Sequence, residues 1–292
     1  MEKGYHLLDS LVASVDLYDL LVLKTKKGYS SVTMKGMGSE SIPPEKNNAL
    51  KAAEAFSARF HTDGADITVY KNIPIGAGLG GSSADISGVI NGMARLYGIE
   101  DKTALKELAD ELGSDTGYML QGGFARLQGR GELVTPVDTE EKLHFLLLCP
   151  RVSVSAGECY RRYDELPKTL EERQKFTQEC ITALQRKDKN GVGRYLMNDL
   201  YIPAQSLCDE VRKTYEEAKS FSPLGTVMTG SGSGILALFE TKELCEWAKS
   251  RYKGKARAFV VETVLPQTEK KKKSWFDGWK NPFVLSEEER NG

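Results

Sequence analysis

The chain reads as an α+β protein of two domains, and three observations lead there. Strand-like and helix-like segments are interleaved without a strict βαβ alternation. A glycine-rich turn passes directly from a β-rich run into a helical one. A length of 292 residues exceeds what one hydrophobic core commonly serves. The boundary is expected where Pro150 and a serine-rich stretch follow a short apolar strand, giving domains at 1–149 and 150–265 and a tail at 266–292.

Taken in order, residues 20–24 and 31–34 read as extended, 47–59 has helical periodicity and 66–70 is β-rich. The glycine turn follows. Two successive helices come next, 83–97 with Ile86, Val89, Ile90, Met93 and Leu96 on one stripe, and 103–112. Short strands return at 122–128 and 132–136, and 144–149 reads as a buried strand. Beyond the boundary the expected order is helices at 157–163, 170–186 and 205–221, strands at 225–228 and 235–239, a helix at 242–252 and a strand at 256–264. That order suits a small sheet with helices on one face. The tail carries four successive lysines from Lys270, then Trp275, Phe276 and Trp279; it reads as a solvated basic run with an aromatic cluster docked on its own domain, and no function is assigned to it.

Composition narrows the function classes. Forty basic side chains against 41 acidic ones leave a net charge of −1, so nothing global favours nucleic acid or an anionic membrane. Apolar runs are too short to span a bilayer, and the first residues do not open a signal peptide. Five scattered cysteines suggest neither a disulfide framework nor a metal site, and a reducing cytoplasm is the expected setting. Three dispersed histidines give a histidine metal centre or a Ser-His-Asp triad little to draw on.

The informative stretch is 74–85, Pro-Ile-Gly-Ala-Gly-Leu-Gly-Gly-Ser-Ser-Ala-Asp. Glycines at 76, 78, 80 and 81 let backbone N–H groups close around an anion, and the helix start behind them adds unpaired donors, so a phosphate is the expected guest. A Walker A loop fails because Ser82 stands where the gripping lysine belongs. A dinucleotide fingerprint is spelled out by Gly76, Gly78 and Gly81, with Glu100 and Asp101 about twenty residues on, and stands as a minor alternative.

Residues 74–83 resemble, along their whole length, the Pro-x-x-x-Gly-Leu-Gly-Gly-Ser-Ser loop of the GHMP kinases. Residues 112–125, followed by Gly129-Arg130-Gly131-Glu132, resemble a signature of the branch acting on 4-diphosphocytidyl-2-C-methyl-D-erythritol. Gly4-Tyr5-His6, Val152-Ser153-Val154-Ser155, Asn198-Asp199-Leu200 and the 228–234 stretch are similar to further motifs of that branch, in the same order.

The resemblance implies a fold and an activity. The fold would be an N-terminal ribosomal-protein-S5-like domain that binds ATP and a C-terminal ferredoxin-like α+β domain. The activity would be an ATP- and Mg²⁺-dependent transfer of phosphate to the 2-hydroxyl of that cytidine diphosphate-linked polyol, in non-mevalonate isoprenoid synthesis, by a cytoplasmic monomer or weak homodimer. Asp115 is the implied catalytic residue. Pro74, Gly76, Gly78, Leu79, Gly80, Gly81, Ser82 and Ser83 would cradle the phosphates, with Ser82 or Ser83 near the metal, and Asn47 and Lys71 fall where the family contacts the nucleotide. Tyr5 and His6 match the residues at the cytidine end, and Gly230, Ser231 and Gly232 lie in the motif beside the acceptor.

Departures are equally specific. Family members open with an Ala-Lys-Ile-Asn-Leu-like strand whose lysine partners the catalytic aspartate, and no residue here is assigned to that lysine; Lys3 is in the wrong register. Thr116-Gly117 replaces Val-Pro, which is expected to loosen the backbone beside Asp115. Two alternatives therefore stand beside the kinase: a catalytically impaired homologue that binds nucleotide, and a GHMP kinase for another alcohol such as mevalonate or homoserine.

Overall fold

The computed structural model describes residues 6–36, 38–39, 43, 47–166 and 170–265; Tyr5 and the tail at 266–292 lie outside the described residues. Three sheets organise the chain. Strands β2 (Leu20–Lys26), β4 (Gly64–Lys71) and β3 (Ser31–Gly36) form one, with β4 central, β2 antiparallel to it and β3 parallel. The parallel pair is joined through helix α1 (Asn48–Phe60), as a parallel connection requires. Strands β1 (Leu8–Ala13), β5 (Phe124–Gly129) and β6 (Leu133–Pro136) make a second, antiparallel sheet.

The third sheet has order β10-β7-β9-β8, from strands β10 (Arg257–Glu262), β7 (His144–Cys149), β9 (Ile235–Phe239) and β8 (Gly225–Met228), all antiparallel. Helices intervene between β7 and β8 and α10 (Lys242–Arg251) between β9 and β10, which is the split βαβ arrangement of a ferredoxin-like unit. Sheet pairing thus places β7 with the C-terminal strands, one strand earlier than the boundary expected at residue 150.

Helix α2 (Gly81–Tyr97) is the central beam of the N-terminal half. Its stripe of Ile86, Val89, Ile90 and Met93 packs with Ala52, Ala53 and Phe56 of α1 against Ile67 and Val69 of β4, and every one of these side chains is buried. α3 (Lys102–Leu112) follows α2 with no strand between them, so the glycine turn after β4 opens no βαβ unit and the dinucleotide alternative has nothing to rest on.

Other expectations need correction. The single helix expected over 205–221 is two, α8 (Tyr201–Leu207) and α9 (Asp209–Lys219), because Cys208 adopts an extended conformation between them. β1, α4 (Thr116–Gln121) and α7 (Lys189–Tyr195) were not anticipated. The five cysteines are all free thiols, four of them buried. Among the described residues no helix is long and apolar enough to cross a membrane.

Two strand edges are left open. Among the described residues β1 pairs only with β5 and β2 only with β4. Residues 8–14 and 17–24, on and beside these strands, line one cavity.

Candidate active site

Where β4 ends, the chain must turn into α2, and it does so through Gly76, Gly78 and Gly80 at φ of 72°, 71° and 67°, a region L side chains rarely occupy. Gly80 is the N-cap of α2 and offers no side chain, so the first N–H groups of this 17-residue helix keep their hydrogen-bonding capacity for a ligand. Gly76 and Ser82 are exposed at the surface of the turn, Ser83 is half-buried and Pro74 is buried. The Ser82 hydroxyl accepts from Asn48 Nδ2 at 2.6 Å.

Three motifs of the C-terminal half converge on the crown of this loop. Ser233 N donates to Gly76 O at 3.3 Å, Gly234 N to Ala77 O at 3.0 Å, and Thr229 Oγ1 to Gly78 O at 3.0 Å. The 229–234 turn is held in its own right: Asn198 Nδ2 donates to Met228 O at 2.7 Å and to Gly230 O at 2.8 Å, and Ser233 Oγ donates to Val152 O at 2.6 Å. Ser153 completes the fit, since a side chain on Gly76 would overlap its Cβ.

Asp115 stands at the N-cap position of α4, yet its carboxylate makes no cap hydrogen bond. The ordinary structural use of an aspartate there is thus not taken up. Burial alone pushes its pKa upward, and among the described residues no cation is paired with it. Gly131, at φ 113°, brings the 129–131 turn so close that a Cβ would lie 3.4 Å from Asp115 Oδ1. Beside it Gly117 is inside α4 and Thr116 is fully buried, with Ser87 Oγ of α2 donating to Thr116 O at 3.0 Å while the Thr116 hydroxyl has no hydrogen-bond partner.

Asp115 shares its cavity with Gly78, Leu79 and Gly80 of the loop, with Gly230 and Ser231, and with His6. His6 stacks on Tyr160 with ring centroids 4.7 Å apart, meets the edge of Tyr163, and places Nε2 2.9 Å from Asp164 Oδ1. The charge of Asp115 adds to burial in raising the pKa of the Tyr160 phenol, which puts this aromatic group within electrostatic reach of the carboxylate. Tyr160, Tyr163 and Asp164 were missed in the sequence; the Cys-Tyr-Arg-Arg-Tyr-Asp run that carries them was read only as helix.

Gly232 and the loop residues Pro74, Gly76, Gly81, Ser82 and Ser83 do not line that cavity, and of these Gly76 and Ser82 are exposed to solvent. Two expected nucleotide contacts are otherwise engaged. Asn47 spends its side-chain oxygen on capping α1, accepting from Ala49 N and Leu50 N. Lys71 is 4% exposed and bonded to the carboxylates of Asp19 and Asp85, so it presents no free cation to a ligand. Among the described residues no group of three or more His, Cys, Asp or Glu side chains could hold a metal ion.

The chain matches the GHMP kinases N terminal domain over residues 47–125 and the GHMP kinases C terminal over residues 180–253. It is 32% identical over 270 residues to the 4-diphosphocytidyl-2-C-methyl-D-erythritol kinase of Caldicellulosiruptor saccharolyticus, covering 91% of this chain and 90% of that protein. Identity to the protein of the same name from Carboxydothermus hydrogenoformans is 33%, over 81% of each chain. A crystal structure of 4-(cytidine 5'-diphospho)-2C-methyl-D-erythritol kinase superposes with a TM-score of 0.73 at 27% identity, over 90% of this chain and 93% of the other. Homoserine kinase from Cytophaga hutchinsonii shares the fold, with a TM-score of 0.72 at 20% identity over 88% and 90% of the two chains. A phosphate-ready turn clasped by both halves of the chain, sharing a cavity with an uncapped aspartate, is therefore what a member of the GHMP kinases carries, and this chain belongs to that family, in its 4-diphosphocytidyl-2-C-methyl-D-erythritol kinase branch.

Proposed function

We propose that the chain transfers the γ-phosphoryl group of ATP to the 2-hydroxyl of 4-diphosphocytidyl-2-C-methyl-D-erythritol, with Asp115 receiving the hydroxyl proton. The observation that carries this reading is a partly desolvated carboxylate, left out of its own helix cap and lining the cavity that the phosphate loop borders.

Phosphoryl transfer asks a protein mainly for positioning and for stabilisation of charge. The turn from Gly76 to Gly80 and the start of α2 supply N–H groups for the phosphates, without a lysine in the loop. The acceptor oxygen forms its bond to the γ-phosphorus as the bond from that phosphorus to the β–γ bridging oxygen breaks, and its proton passes to Asp115. Partial desolvation makes that carboxylate a stronger base than a fully hydrated one, in the direction that proton removal near neutral pH requires. His6, Tyr160 and Tyr163 form an aromatic group lining the same cavity, suited to a flat pyrimidine base.

The residues present fit Mg²⁺ carried in on the triphosphate and not a divalent ion caged by protein, because the described residues hold no acidic cluster while the Ser82 hydroxyl stands exposed in the first turn of α2. Ser82 or Ser83 would be its nearest protein donor, and the ion would spread the charge of the β- and γ-phosphates.

A second reading, nucleotide binding with little turnover, is favoured by one observation: among the described residues no cation faces Asp115. A coupled assay for ADP release with the cytidine substrate, run beside Asp115→Asn and beside calorimetry with ATP–Mg²⁺, separates the two. Turnover that Asp115→Asn abolishes supports the kinase, tight binding without turnover supports the second reading, and no ATP binding overturns both.

A further inference from the structure

Lys71, Asp19 and Asp85 form a buried ion cluster that the reaction as described does not use. Their side chains are 4%, 2% and 7% exposed. Lys71 Nζ donates to Asp85 Oδ2 at 2.6 Å and to Asp19 Oδ2, while Asp19 Oδ1 accepts from Asn72 N at 2.6 Å and Ile73 N at 2.9 Å. Asp85 Oδ1 is buried with no hydrogen-bond partner.

The positions matter more than the contacts. Lys71 is the last residue of β4, where the phosphate loop departs, and Asp85 lies in the opening turns of α2, where the loop has returned. Their bond closes the loop across its neck, and Asp19 fixes the first two loop amides from the start of β2. The crown is held separately by the 229–234 turn. A loop with glycines at 76, 78 and 80 has a wide conformational range, and ordering it only when a ligand arrives would weaken binding.

Resting on the kinase reading above, we propose that Lys71 and Asp85 are positioning residues that close the neck of the phosphate loop, so that its N–H groups are set for phosphates before ATP binds. Neither side chain touches the ligand in this account. Both carboxylates share the one ammonium, so with both ionised the buried cluster carries one negative charge in excess. Burial pushes the Asp85 carboxyl up to about 7 against the pull of Lys71, so the unpartnered Oδ1 can carry a proton near neutral pH.

The test compares ATP–Mg²⁺ by calorimetry with adenosine, which lacks phosphates, by competition NMR, in Asp85→Ala and Asp85→Asn. Asp85→Ala leaves Lys71 paired with Asp19 and balanced in charge, and ATP affinity is expected to fall about tenfold with adenosine unchanged. Asp85→Asn, which keeps an acceptor for Lys71, is expected to restore ATP affinity to within about threefold of the unaltered chain. Should Asp85→Ala fail to fold, Asp85→Ser makes the same break with a polar group in the buried space. Unchanged ATP affinity, an equal loss for ATP and adenosine, or an Asn variant no better than the Ala variant overturns the proposal. An unaltered chain that binds no ATP overturns the kinase reading itself, and this one with it.

Discussion

The hydroxyl of Thr229 donates to the carbonyl oxygen of Gly78 at 3.0 Å, tying the glycine loop to a turn 151 residues away. The approach is so close that a β-carbon on Gly78 would overlap the backbone oxygen of Thr229 and lie 2.9 Å from that of Gly232. Gly78→Ala is therefore expected to weaken ATP binding by more than tenfold, through the clash and through a φ of 71° that costs alanine about 1–2 kcal/mol. Gly98→Ala is the control: it has φ 66° and nothing within 4 Å of a Cβ, so thermal stability falls by about 1 kcal/mol and ATP affinity by calorimetry stays unchanged.

Asp115→Asn separates catalysis from stability. Turnover is expected to fall by about 10²–10⁴, the usual contribution of a positioned proton acceptor. The folded-state pKa of Asp115 is raised, so its ionisation opposes folding; the asparagine variant is more stable at pH above that raised value. The gain shrinks as pH falls and vanishes below the ordinary carboxylate pKa, where both states are protonated. Denaturant titrations at pH 8 and pH about 3.5 read it directly.

The aromatic group around His6 makes a prediction about the acceptor alone. Tyr160→Ala removes the ring that stacks on His6, and is expected to raise KM for the cytidine substrate about tenfold with KM for ATP unmoved. Tyr160→Phe keeps the ring and is expected to stay within about threefold.

The open edges of β1 and β2 invite an extended segment. A peptide of about eight residues, alternating apolar and polar, is expected to bind there by strand addition. Slower amide exchange confined to Leu8–Ala13 and Leu20–Lys26 would mark the site, and protection elsewhere would reject it.

Local patterns were legible where one face is buried and the element is long. α2 announces itself through Ile86, Val89, Ile90 and Met93, and β7 through an unbroken apolar run. β1 was overlooked because all six of its residues sit at intermediate burial beside the cavity, which leaves no clean alternation. α4 was hidden by its length of six residues and by Gly117. Asp115 was named through family resemblance; its position at the start of α4 is one where an aspartate ordinarily caps the helix, and that cap is unmade. The ion cluster escaped notice for a different reason: Asp19 and Asp85 lie 52 and 14 residues from Lys71, and no local pattern encodes a contact of that kind.

The crown of the glycine loop has its hydrogen-bond partners at Thr229, Ser233 and Gly234, late in the chain. During synthesis the first half leaves the ribosome with the neck of its nucleotide cradle able to close through Lys71, Asp85 and Asp19 but with the crown unheld, and the cradle is complete only after residue 234 has emerged. A nascent or proteolytically shortened first half therefore cannot sequester nucleotide tightly, and competence arrives together with completion of the second half.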